Sequence, residues 1–349
     1  MKTTKNIHIA ILDTDVPVPN VYYARGLYST QFRTLLSAAA SRINDQTCCA
    51  GQADEEIRVH TTAFDALGGQ LPSLSSLSTS PTSTSNDGNE EDVNPLAIPI
   101  SAILITGSVA SVYDPTLKWV SPVVEFIRTV YERYPHVKIF GSCFGHQIVA
   151  QALLSASSCS TDGSGSVRVE CCPVGMEVGL ERVQLTKGFA DAFPCLNGKK
   201  ELRLQMVHGD WVSASEEKEE VLPSPWMNVG STAQCPIQGL YCPGRVLSYQ
   251  GHFEFDSFVN RETCVEFGRR LGWKEDMIAR YVLAIGEADG DEDDSKLAAE
   301  VVVRFLAGED EVHSVPGLDQ TPASSLRVRE WLGGLMGLIG QLVSRSTKS

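Results

Sequence analysis

The chain has 349 residues, 42% hydrophobic and 21% charged, with a formal net charge of -14. Such a balance fits a globular protein with a large core, either about two domains or one α/β enzyme carrying insertions. The acidic excess argues against general nucleic-acid binding and against attraction to anionic membranes.

In chain order, residues 7–13 (Ile7-His8-Ile9-Ala10-Ile11-Leu12-Asp13) read as a first strand, because the apolar run is too short for a signal-peptide core and ends in an acid. A helix is expected over 25–40, with Leu27, Phe32, Leu35 and Leu36 on one side, and a second strand over 57–61. Composition then shifts to serine, threonine and acid over 71–94, which predicts a disordered insertion. Structure resumes with a strand at 98–106 and an amphipathic helix at 122–133. A strand at 137–140 and a helix at 147–154 follow. Short strands are expected at 167–171, 179–185, 203–208, 226–229 and 237–241, and a longer one at 246–255. Helices and strands alternate early and strands crowd later. This predicts a flavodoxin-like α/β fold: a mainly parallel sheet with helices on both faces and an added β section.

Residues 257–271, 274–285 and 295–306 read as helices, with an acidic, solvated linker at 287–294. A last helix over 326–343 puts Val328, Trp331, Leu332, Leu335, Met336, Ile339, Leu342 and Val343 on one stripe. Its expected role is packing on the body of the protein, with partner docking as the alternative. The expected division is a domain over 1–260 and a helical extension over 261–349. No run of about 18 uncharged apolar residues occurs, so no membrane span is expected. Ten cysteines without a C-x-x-C match neither a zinc ribbon nor a secreted disulfide framework. The expected compartment is the cytoplasm, where thiols stay reduced.

The chemistry concentrates at Gly141-Ser142-Cys143-Phe144-Gly145-His146-Gln147. A strand enters, small residues stand two before and two after a cysteine, and a helix leaves: a nucleophile elbow in its G-x-C-x-G form. The helix points its positive end at the sulfur, which favours thiolate over thiol. A catalytic thiol needs a base, and the base an orienting group. Among seven histidines, His252 has the best context, because Glu254 two residues on faces the same side of an extended chain and can fix its tautomer. His146, on the first turn of the elbow helix, is expected to pack rather than act as a base. Cys171, Cys172, Cys235, Cys242 and Cys264 are expected to be core or surface thiols.

The elbow together with Gly251-His252-Phe253-Glu254 resembles the class I glutamine amidotransferase family, over roughly residues 7–260. The family pattern is G-x-C-x-G-x-Q with H-P-E, so Phe253 stands where proline is usual, and the loop loses that residue's stiffness. The PfpI-like proteases, a related family, carry histidine after the elbow cysteine, where this chain has Phe144. The resemblance implies a Cys143–His252–Glu254 triad and oxyanion-hole N–H groups from Gly107 and Phe144. It also implies a γ-glutamyl pocket lined by Gln147 and a substrate loop at His208-Gly209-Asp210. The implied activity is cleavage of a γ-glutamyl amide through a cysteine thioester, releasing ammonia for a separate synthase or acceptor enzyme. Two alternatives stay open: a stand-alone γ-glutamyl peptidase acting on glutathione or its conjugates, and an inactive interaction protein. No metal or organic cofactor is implied.

Overall fold

The computed structural model describes residues 3–49, 55–78, 96–155, 167–214, 222–286 and 293–310. The predicted stripe over 326–343 lies outside them. The central sheet is built from β1 (Thr3–Asp13), β2 (Glu55–Asp65), β3 (Ala102–Ile105) and β4 (Lys138–Ser142). Three strands from later in the chain complete it: β9 (Met227–Asn228), β11 (Gly239–Cys242) and β12 (Val246–Tyr249). Their order is β2-β1-β3-β4-β12-β11-β9. The run from β2 to β12 is parallel, and β11 and β9 close the far edge antiparallel. The predicted parallel sheet is therefore present.

The added β section is present too. β6 (Glu177–Leu185), β7 (Glu201–His208) and β10 (Gly230–Ser231) form one antiparallel sheet, and β5 (Val167–Cys171) pairs with β8 (Asp210–Ala214) in another. The helices are α1 (Pro19–Arg25), α2 (Tyr28–Cys49), α3 (Val120–Arg133), α4 (Phe144–Leu153), the short α5 (Lys187–Asp191), α6 (Ser257–Arg270), α7 (Glu275–Ile285) and α8 (Ser295–Ala307). None of the described helices is long and apolar enough to cross a membrane.

The period-2 alternation of strand side chains sorts the core into two layers. Ile7, Ile9, Ile11, Leu104 and Phe140 face Phe32 and Leu36 of α2 and the apolar side of α8. Ala10, Leu12, Ile103, Ile105 and Ile139 face Val123, Ile127 and Val130 of α3 and Ile148 and Val149 of α4. Both faces of the parallel strands are covered, which is why these strands read as unbroken apolar runs. At the end of β1, Asp13 accepts from the Ser29 backbone N–H (2.9 Å) and hydroxyl (2.6 Å), fixing the start of α2.

Three expectations need correction. The insertion does not begin at residue 71: Leu77 is buried and pairs with Ile100, and Ser78 N–H donates to the Ile100 carbonyl at 2.7 Å. Three leucines, Leu71, Leu74 and Leu77, supply the apolar surface that the serines lack; residues 79–95 lie outside the described residues.

The division at residue 260 also fails, because residues 3–310 belong to one compact unit. In α8, Val301, Val302, Val303 and Phe305 are fully buried in the same core as β1. The end of the acidic stretch is structural as well, since Asp294 accepts from Lys199 Nζ (2.6 Å) and the Arg203 N–H (2.9 Å). Finally, the strand expected over 246–255 stops at Tyr249. Beyond it the chain crosses to the second sheet, where His252 N–H donates to the Gln205 carbonyl of β7 at 2.8 Å.

Phe305→Ala tests whether α8 is integral. Emptying that buried site is expected to destabilise the whole unit by ~3–5 kcal/mol, read as a lower urea midpoint in one cooperative transition. A separable extension would leave the main transition unchanged.

Candidate active site

Cys143 is the single residue between β4 and α4. Its backbone sits at φ 50°, ψ -103°, a conformation that a residue with a Cβ adopts only under strain. So sharp a turn needs bare neighbours. A Cβ at Gly141 would collide with the Gly145 carbonyl, and one at Gly145 with the Ile105 carbonyl of β3. The turn is pinned by the Cys143 N–H, which donates to the Tyr249 carbonyl at 2.8 Å. Cys143 caps the N-terminus of α4, whose first N–H groups have no acceptor within the helix, an environment suited to negative charge.

The crossing after β12 delivers His252 and Glu254 to the same place. His252 Nδ1 donates to Glu254 Oε1 at 2.8 Å, with both side chains buried. The ring stacks on Phe255 at 4.0 Å between centroids. A Cβ placed on Gly107 would lie 3.0 Å from His252 Cε1 and 3.6 Å from Cys143 Cβ, so ring and thiol converge on the Gly107 backbone. Burial alone would lower the His252 pKa. The charges of Glu254 and Cys143, with the hydrogen bond to Glu254, outweigh it, and the value is pushed up to about 10. The remaining ring nitrogen, Nε2, has no conventional hydrogen-bond partner, which leaves it available to a reacting group.

Two residues at the site were missed by sequence reasoning. Ser142 Oγ donates to the same Glu254 Oε1 at 3.0 Å, and Gln250 Nε2 donates to Cys143 Sγ at 3.6 Å. The signal for Gln250 was strand register. Ser142 pairs with Tyr249 between β4 and β12, so the residues after each, Cys143 and Gln250, become neighbours.

The four positions expected to contact substrate divide. Gly107 and Phe144 flank the thiol, on the β3 loop and the first turn of α4. Gln147 lines the cavity beside Cys143, but its amide group donates to the Asp210 carbonyl (2.9 Å) and to Gln250 Oε1 (3.2 Å), so that amide positions its neighbours. His208 also borders the cavity, yet both ring nitrogens are engaged, Nδ1 with the Asp210 carbonyl (3.0 Å) and Nε2 with Glu177 Oε2 (2.7 Å). It holds the loop instead of offering a free nitrogen to a ligand.

Glu177, His208 and Cys235 place three metal-ligating side chains within 4.8 Å. The carboxylate already accepts from His208, Thr232 and Gln238, and burial pushes the Cys235 thiol up to about 12. The cluster therefore works as a hydrogen-bonded hub. His146 is fully buried, bonded to Ser248 Oγ at 2.9 Å and lowered to about 3 by burial, so it packs as expected.

Fold and site together define a doubly wound α/β protein with a cysteine at a nucleophile elbow. The comparisons agree on the fold. A Schizosaccharomyces pombe protein provisionally named glutamine amidotransferase-like is 30% identical over 252 residues, 72% of this chain and 81% of the relative. A Saccharomyces cerevisiae protein, provisionally named a glutamine amidotransferase, is 32% identical over 176 residues, 50% of this chain and 60% of that one. Crystal structures of glutamine amidotransferases from Thermotoga maritima and Methylobacillus flagellatus superpose with TM-scores of 0.50. Both are 15% identical; the alignments cover 86% and 89% of this chain and 98% of each structure. No family model matches the chain. The chain belongs to the class I glutamine amidotransferase-like family.

Gly107→Ala tests the convergence of ring and thiol. With His252 backed by Phe255, the added methyl has to displace the ring. Iodoacetamide alkylation of Cys143 at neutral pH is expected to slow by about tenfold, with thermal stability nearly unchanged. An unaltered alkylation rate would mean that the two side chains do not act together.

Proposed function

We propose that the chain hydrolyses γ-glutamyl amides through a thioester on Cys143. The observation that carries this is the buried Glu254–His252 pair, aligned at 2.8 Å and directed at a cysteine on a strained elbow.

With its pKa raised to about 10, His252 is an imidazolium across the neutral range, and that charge supports a Cys143 thiolate. The thiolate attacks the γ-carbonyl carbon. Charge gathers on the carbonyl oxygen, where the N–H groups of Gly107 and Phe144 can stabilise it. As the C–N bond breaks, the imidazolium gives its proton to the departing nitrogen and becomes a neutral base. In that form it takes a proton from water, which opens the thioester and frees glutamate. Glu254 holds the ring in one orientation throughout and fixes its tautomer once it is neutral, and Ser142 holds Glu254.

Glutamine is the first substrate to test, because both fungal relatives are named for glutamine amidotransferase activity. Its nitrogen would leave as ammonia, for use by a separate acceptor enzyme. Glutathione tests the peptidase alternative.

Glutamate release from each, with Cys143→Ala as the control, decides the matter. Release is expected from the wild type and not from the variant. The pH profile adds a signature. His252 keeps its proton until the pH rises through about 10, so the rate falls on that alkaline side. Glu254→Gln removes the largest influence holding the proton on, so the fall moves to lower pH and the rate drops by roughly 10²-fold or more. Silence of the wild type on both substrates would favour the interaction-protein alternative.

A further inference from the structure

We infer that the site takes a γ-glutamyl dipeptide whose second residue is apolar and bears a free carboxylate, and that Arg270 reads that carboxylate. The inference rests on the proposed γ-glutamyl hydrolysis and goes beyond it to the amine half of the substrate.

The cavity that contains Cys143 has a volume of about 320 Å³, at the scale of ligands considerably larger than one amino acid side chain. Burial orders its walls by depth. Cys143, Gln147 and His208 are 6%, 3% and 4% exposed and form the floor. Asp210 stands beside them, its carboxylate accepting from Ser111 Oγ (2.5 Å) and Tyr113 OH (2.8 Å). The outer wall has a different character. It comes from the β3 loop, the turn before β6 and the end of α6, as Val109, Met176, Phe267 and Leu271. Val109 is 62% and Leu271 66% exposed. Large apolar side chains left open at the mouth of a cavity mark a surface meant to be covered.

Arg270 is the cation on this wall. Its partner is Glu266 at 2.9 Å, one turn back on α6, in an exposed pair. Pairs of that kind are weak and readily exchanged, whereas a guanidinium facing a carboxylate across an apolar mouth gains a charge-assisted, two-pronged bond. From floor to rim, the walls therefore present the thiol, an apolar collar and a cation. In a γ-glutamyl dipeptide the apolar side chain and the terminal carboxylate branch from the carbon next to the scissile nitrogen, so with the γ-carbonyl at the thiol one branch meets the collar and the other the cation. Free glutamine has nothing to place against the collar.

The step balances without another reactant. Cys143 Sγ bonds the γ-carbon and the C–N bond breaks. The amino acid leaves with the proton from His252, and water then cleaves the thioester to glutamate and regenerates the thiolate–imidazolium pair.

The test compares kcat/KM for glutamine, γ-glutamyl-leucine and γ-glutamyl-leucinamide in the wild type, Arg270→Ala and Leu271→Asp. In the wild type, γ-glutamyl-leucine is expected to exceed both other substrates by at least about tenfold. Arg270→Ala is expected to bring the acid and the amide to the same value. Leu271→Asp, a change at an exposed position, is expected to shrink the advantage of leucine over glutamine. Equal acid and amide rates in the wild type, or a difference that survives Arg270→Ala, would overturn the inference. An equal loss on all three substrates in Arg270→Ala would also overturn it, by assigning the arginine to the glutamyl end. Turnover of glutamine without any gain for γ-glutamyl-leucine would overturn it while leaving the hydrolase proposal standing. No turnover of any substrate by the wild type would overturn both.

Discussion

The backbone of Cys143 is the constraint from which the rest follows. A non-glycine residue at φ 50° is tolerated only where its surroundings over-determine it, and here three neighbours do so. Gly145 lets α4 ride against the Ile105 carbonyl, Gly141 lets the strand end pass under the helix, and the Tyr249 carbonyl holds the Cys143 N–H. Close packing of α4 on β3 and β4 sets the height of the thiol above the sheet. Three connections then bring the other groups to it: the loop after β3, the turn between β7 and β8, and the chain beyond β12.

A buried imidazole and a buried carboxylate are each unfavourable alone. Together they form a pair whose attraction, joined by the influence of Cys143, outweighs the burial of His252. The hydroxyl of Ser142 adds a second donor to Glu254, and Gln250 ties the thiol to Gln147 and through it to the β8 loop. Such a network keeps its geometry because every shift exposes an unpaired polar atom. Farther from the thiol, the His208–Glu177 hub has the same role, fixing the loop that carries Asp210.

Much of this was legible in the sequence, for identifiable reasons. The elbow was visible because its steric demands fall on adjacent residues, and the His252–Glu254 pair because the two lie at a spacing of two. The alternating elements before residue 150 announced the parallel sheet. What stayed hidden depends on distant partners. Gln250 becomes a neighbour of Cys143 only through β4–β12 register. The amide of Gln147 and the ring of His208 were assigned to substrate, although both have local partners that no spacing reveals. The core role of α8 was missed because a separate helical extension and an integral helix share the same apolar pattern. At 71–78, three leucines outweighed a composition that looked unable to fold.

In the proposed mechanism Cys143 carries the γ-glutamyl group between cleavage of the amide and attack by water. Rapid acid quenching of the protein mixed with a γ-glutamyl substrate, followed by mass spectrometry of its peptides, tests this directly. A glutamyl adduct on the peptide containing Cys143, absent from Cys143→Ala, is the predicted result. Glutamate release that persists in Cys143→Ala, or an adduct on another residue, would contradict the account.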